Sequence, residues 1–305
     1  VVVHGAVRVV QPAIAREQRA RGVRPEAGFA ERRAPGGAGN AVPAARHEGG
    51  DHVVTTVLVA RGQDPHTFEP TPKQIAGISR SKLYFTIGME FEQQITQKLD
   101  AAVAGLTLID TTTSISRIAI GEHGPESETD HGDRHSDGAD PHVWLSPLNL
   151  ISMAEIMATA MSDADPDHAA SYRKNLHQTV ATLKQLHHEL SSELAPYTGA
   201  SFYVFHPSFG YFASEYGLHQ KAVEISGKSP TPKQISTLIA KAKEDKVRII
   251  FVQPQFDSKS ASAVARAIDG VVEPLDPLAE DVAANLRIMA ARITKALSHD
   301  HQPRP

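Results

Sequence analysis

No cysteine occurs anywhere in the 305 residues. Disulfides, thiolate metal sites and a cysteine nucleophile are thereby excluded, so any metal site must be built from imidazole and carboxylate. No apolar run approaches the roughly 20 residues that cross a bilayer. Nor does one sign of charge dominate: 31 Lys and Arg face 35 Asp and Glu, for a net charge of -4. The basic surface of a nucleic-acid binder has no support in that balance, and no nucleic-acid partner is expected. No charged-apolar-small signal pattern opens the chain. What is abundant is histidine, with 16 in the chain. Its length allows two modest lobes or one large domain.

The first fifty residues differ from the rest. They hold eight arginines and no lysine, whereas the remaining 255 hold ten arginines and thirteen lysines. Val1 to Val10 has strand-like composition, but Ala-, Gly-, Pro- and Arg-rich sequence without helical periodicity follows. Residues 1–48 are read as an atypical segment, either a disordered leader or non-native sequence such as a shifted reading frame. In the second case the N-terminal lobe would lack a sheet element, leaving its neighbour as an exposed edge.

Regular patterning starts near Asp51. Strands are predicted over Val53–Ala60, Leu83–Ile87, Leu106–Ile109, Phe202–Phe205 and Val247–Val252. Helices are predicted over Lys73–Arg80, Glu90–Ala104, Pro147–Met161, Asp167–Leu194, Ser208–Tyr216, Lys233–Glu244, Ser258–Ile268 and Asp281–Leu297. This alternation argues for α/β lobes with mainly parallel sheets flanked by helices. The hexapeptide Pro70-Thr71-Pro72-Lys73-Gln74-Ile75 recurs as Pro230-Thr231-Pro232-Lys233-Gln234-Ile235. Each copy precedes a helix and then a strand, which points to two related lobes joined by the long helix after Asp167. The boundaries expected are 49–165 for the N-terminal lobe, 166–196 for the linker helix, 197–298 for the C-terminal lobe and 299–305 for a tail. Ligands of open α/β sheets bind at the carboxyl ends of strands, so a site is expected in the cleft between lobes.

Three segments place a histidine beside a proline at strand-to-helix junctions: Asp64-Pro65-His66, Asp140-Pro141-His142 and His206-Pro207. Proline removes a backbone donor and fixes one dihedral, which stiffens the loop holding the imidazole. An aspartate two residues before such a histidine is suited to orient the ring or to bond the loop backbone. Asp276, between Pro274 and Pro277, is either a fourth ligand completing tetrahedral geometry or a loop aspartate that caps the following helix. The loop Gly121–Asp140 carries His123, His131 and His135 among seven acidic residues. Its composition suits a solvated, mobile linker that binds zinc weakly and exchangeably, and these three histidines are read as auxiliary. Trp144 is expected to pack beneath the second histidine loop.

With these motifs in hand, the sequence resembles the metal-binding subunits of zinc and manganese ABC importers, in the zinc-specific (ZnuA-like) branch. The resemblance runs from about Asp51 to Leu297. It rests on Gly-Gln-Asp-Pro-His-Thr-Phe-Glu-Pro-Thr at 62–71, Asp-Pro-His-Val-Trp-Leu-Ser-Pro at 140–147, Phe-His-Pro-Ser-Phe-Gly-Tyr-Phe at 205–212 and Leu-Asp-Pro-Leu at 275–278. It implies a solute-binding protein, not an enzyme, with two α/β lobes joined by a rigid helix. His66 and His142 from the N-terminal lobe, with His206 and Asp276 from the C-terminal lobe, would hold one Zn2+ as cargo. It implies a periplasmic monomer that delivers zinc to an ABC transporter permease. Manganese-type members usually carry glutamate where His206 stands, and imidazole suits zinc better than carboxylate-selecting ions.

Other readings are a manganese or iron carrier of the same family, a zinc hydrolase using three histidines, and a surface adhesin or regulatory partner. The hydrolase reading lacks a His-Glu-x-x-His helix and a Gly-x-Ser-x-Gly elbow. Because imidazole must be neutral to bind, metal affinity is expected to fall as pH drops.

Overall fold

The two copies of the repeated hexapeptide fold alike in the computed structural model, which describes residues 5–9, 52–59, 62–120, 138–224, 231–256 and 259–300. In the first copy the Thr71 hydroxyl accepts the Gln74 N–H and the Gln74 side chain accepts the Thr71 N–H, opening helix α1 (Pro72–Ile78). Thr231 and Gln234 do the same at the start of α6 (Pro232–Glu244). Each is a reciprocal capping box with proline in the first turn, where its missing donor costs nothing.

The chain divides into two units, Val1–Thr113 with Ile151–Ala181, and Ser114–Leu150 with Thr182–Pro305. The first unit contains a four-stranded sheet of order β2-β1-β3-β4, formed by β1 (Gly5–Val9), β2 (Val53–Val57), β3 (Leu83–Thr86) and β4 (Thr107–Asp110). β3 and β4 are parallel, while β1 runs antiparallel to both of its neighbours. Gly5 lies opposite Val57 on one side and Phe85 on the other. β1 comes from residues 1–48, the segment read as atypical. Their valine-rich start has the composition of a strand and fills an interior slot. Residues 10–48 lie outside the described residues.

Helix α2 (Glu90–Ala102) follows β3 through a tight turn at Gly88, whose φ of 88° favours glycine. The buried Glu92 carboxylate accepts the N–H groups of Ile87, Gly88 and Met89, satisfying donors that the helix start would otherwise orphan. α3 (Pro147–Ala164) buries Met153, Met157 and Met161 at helical spacing. Beyond it, Asp165 accepts from the Tyr172 hydroxyl at 2.6 Å and pairs with His168 at 2.7 Å, and the His52 ring stacks on His168 at 3.8 Å.

α4 (Ala169–Leu194) has 26 residues, a length of about 39 Å at the usual rise. Leu186, Leu190 and Leu194 line its buried stripe. The division between units falls within this helix, and it places Ser114–Leu150, with His142, in the second unit rather than with residues 49–113. The second sheet is entirely parallel, of order β6-β5-β7-β8: β5 (Ser201–Val204), β6 (His219–Ala222), β7 (Ile249–Val252) and β8 (Val271–Pro274). Its crossovers run through α5 (Gly210–Glu215), α6 and α7 (Lys259–Ala267), and α8 (Val282–Asp300) closes the chain. Every residue of β7 is buried, as expected of the centre of a parallel sheet covered on both faces. Among the described residues no helix is long and apolar enough to cross a membrane.

Candidate metal centre

His206 lies two residues past β5, at the carboxyl end of the second sheet, where chain leaving a parallel strand is free to carry a ligand. Its backbone is gripped by Gln253, just past β7. The His206 N–H donates to Gln253 Oε1 at 3.2 Å, and Gln253 Nε2 donates to the His206 carbonyl at 2.6 Å. The ring is held separately. Nδ1 lies 2.7 Å from Glu224 Oε2, and Phe256 stacks on the ring at 4.8 Å.

His142 is fixed by its own motif. Asp140 Oδ1 accepts the His142 N–H at 2.9 Å and sits 2.6 Å from Nδ1. Asp140 is itself anchored through its backbone: its N–H donates to Ile118 O at 2.8 Å and its carbonyl accepts from the Tyr211 hydroxyl at 3.0 Å. Burial pushes the Tyr211 hydroxyl up, which keeps it a donor. The next residues form a short 3-10 turn, Val143–Leu145, that buries Trp144. Trp144 meets the His142 ring edge-on at 5.3 Å, and its Nε1 donates to the Pro277 carbonyl at 2.8 Å. The indole thus packs beneath the second histidine loop and ties it to the loop holding Asp276.

The His142 and His206 rings lie 5.3 Å apart at 72°, both buried, with ligand nitrogens within 4.8 Å of one another. An ionised carboxylate only accepts, so an Nδ1 paired to one carries the proton and Nε2 carries the lone pair. In that arrangement each ring has its Nε2 free of the carboxylate that holds Nδ1. In the first unit, His66 is half-buried and follows an Asp-Pro turn of the same kind, its N–H donating to Asp64 Oδ1 at 2.9 Å. Within the second unit, His142 and His206 belong to a group of histidines that could hold a metal ion.

Asp276 is not a member of that group. Its Oδ1 accepts the Leu278 N–H and the Gln255 Nε2, each at 3.0 Å. It does not cap α8: Asp281 does, accepting the Ala284 N–H at 2.9 Å. His123, His131 and His135 lie outside the described residues. Three residues of the site escaped sequence reasoning: Glu224, Gln253 and Gln255. Glu224 follows β6, whose His-Gln-Lys-Ala sequence carries no β-branched residue and gave no strand signal. The two glutamines flank Pro254 right after a recognisable strand, and that position was the one available clue.

The family model for ZnuA, zinc-uptake complex component A, periplasmic, matches residues 44–299. A protein of Treponema pallidum (strain Nichols) named "Putative metal-binding protein" is 30% identical over 231 residues, covering 74% of this chain and 73% of that protein. The zinc-binding protein AdcA of Streptococcus pyogenes serotype M3 is 28% identical over 240 residues, covering 74% of this chain. The match spans only 47% of AdcA, about half its length. A crystal structure of ZnuA superposes with a TM-score of 0.75 at 38% identity, covering 83% of this chain and 94% of that one.

Proposed function

Since the chain belongs to the ZnuA family of periplasmic zinc-uptake components, we propose that it captures Zn2+ outside the cytoplasm and passes it to the permease of an ABC importer. In this reading it is a monomeric solute-binding protein and zinc is cargo, not the cofactor of an enzyme. The proposed ligands are His66, His142, His206 and Asp276, three imidazoles and one carboxylate in tetrahedral geometry. The observation that carries the proposal is the buried His142–His206 pair, each ring with Nδ1 on a carboxylate. Nitrogen at three of four positions favours zinc over manganese, which takes oxygen-rich sites. Among the described residues Asp276 Oδ2 accepts no hydrogen bond, so one oxygen remains for a metal while Oδ1 keeps its turn. The histidines of the 121–140 loop are proposed as weak auxiliary sites.

Zinc titration of the full chain against a competing chelator, beside a His206→Glu variant, tests this. One tight equivalent that weakens in the variant, with manganese weak in the native protein, is expected. Zinc binding that is weak, or unaffected by the substitution, would overturn the assignment.

A further inference from the structure

Among the described residues four histidines are seen to pair Nδ1 with a carboxylate, and the four pairs differ in what else the carboxylate does. Asp165, beside His168, also accepts from the Tyr172 hydroxyl. Glu215, beside His187, also accepts from Ser146 Oγ. Asp140 also accepts the backbone N–H of His142. Each of these three has a structural bond that explains its place. Glu224 is different: among the described residues its carboxylate has one hydrogen bond, to His206 Nδ1 at 2.7 Å. It is 9% exposed, and His206 is 5% exposed. Burying a carboxylate for a single contact is unfavourable unless that contact serves a purpose, because the charge loses its water.

The placement of Glu224 fits one purpose. It sits two residues beyond β6, and its N–H continues the ladder to the Phe205 carbonyl at 2.9 Å. That bond sets Glu224 beside the chain entering His206. Gln253 already holds the His206 backbone on both faces and Phe256 covers the ring. A carboxylate on Nδ1 selects the tautomer and fixes the rotation of the ring about its last torsion, and leaves the Nε2 lone pair for a ligand.

We propose that Glu224 is the positioning residue of the zinc site: it fixes the tautomer and rotation of His206 before metal arrives, so that Nε2 is presented to zinc. The inference rests on the proposed role of His206 as a ligand. Removing such an outer partner typically lowers metal affinity by about 10–100-fold.

The experiment uses the full chain. Zinc affinity is measured by chelator competition for the native protein, His206→Ala, Glu224→Ala and Glu224→Gln. The His206 tautomer is read from imidazole nitrogen shifts in the metal-free state. Expected are an Nδ1-protonated His206 in the native protein, and in Glu224→Ala a mixed tautomer with affinity lowered about 10–100-fold. Glu224→Gln, which keeps an acceptor oxygen, should recover most of that loss. A native His206 protonated on Nε2 would overturn the inference whether or not any variant folds. So would native zinc affinity in Glu224→Ala. If His206→Ala itself binds zinc like the native protein, the ligand assignment has failed instead, and the two failures are told apart.

Discussion

Replacing the only tryptophan should cost stability and loosen the site. Trp144 is completely buried, and its Nε1 reaches the Pro277 carbonyl at 2.8 Å across 133 residues of sequence. Trp144→Phe leaves that carbonyl, in a buried proline turn, without a donor. An unsatisfied buried acceptor costs about 1–3 kcal/mol. The smaller ring also opens a cavity, and at about 24 cal/mol per Å3 a void of a few tens of Å3 adds about 1 kcal/mol. The sum is about 2–4 kcal/mol, read from urea unfolding followed by circular dichroism, since the substitution removes the fluorophore. Incorporating benzothienylalanine, which keeps the shape and lacks the N–H, should lose about 1–3 kcal/mol alone. Because the indole also meets the His142 ring at 5.3 Å, zinc affinity should fall in Trp144→Phe. A loss under about 0.5 kcal/mol for the benzothienyl protein would refute the reasoning, because surface-like changes already fall in that range.

Two further outcomes follow from local structure. Thr231→Ala removes the hydroxyl that accepts the Gln234 N–H at the head of α6, and should lower stability by about 1 kcal/mol, with Thr231→Ser retaining most of it; equal urea midpoints for alanine and native chains would contradict the capping role. Asp245 is pushed up by partial burial, but hydrogen bonds from Lys221 at 2.5 Å and the Tyr203 hydroxyl at 2.8 Å outweigh this and leave its pKa below the usual carboxylate value. A carboxyl with a lowered folded pKa stabilises above its unfolded value, near pH 4, and loses that contribution as pH falls further. Asp245→Asn should therefore lower stability at neutral pH and flatten the acid limb of the stability curve. An unchanged limb would contradict it.

Much of the fold was legible because its signals are local. Buried β7 reads as a run of Ile, Phe and Val, and both hexapeptides announce a capped helix through Thr, Pro and Gln at fixed offsets. β6 was missed because His-Gln-Lys-Ala has neither alternation nor β-branching; its pairing with β5 is imposed by the sheet, not by propensity. β1 was undervalued because the sequence after it has no periodicity, although five residues suffice for a strand. The three histidines were legible because each stands beside proline. The groups that hold them were not: Glu224 and Gln253 lie 18 and 47 residues from His206, and only the parallel sheet brings them near.

One local device recurs three times, and it decides how Asp276 should be tested. In Asp64-Pro65-His66, Asp140-Pro141-His142 and Asp276-Pro277-Leu278, the aspartate Oδ1 accepts the N–H two residues on, at 2.9, 2.9 and 3.0 Å. Proline cannot donate, so the carboxylate reaches past it to the next available hydrogen. In the first two turns this fixes a histidine. In the third it fixes the aspartate, which Gln255 also holds at 3.0 Å. Asp276→Ala would break the turn and confuse folding with binding. Asp276→Asn keeps an oxygen for both donors and removes the charge. Its stability should stay within about 0.5 kcal/mol of native, while zinc binding weakens by about 1.4 kcal/mol or more, a factor of ten. Unchanged zinc affinity in a stable Asp276→Asn protein would mean that the aspartate only shapes its turn, and that the fourth ligand is another group.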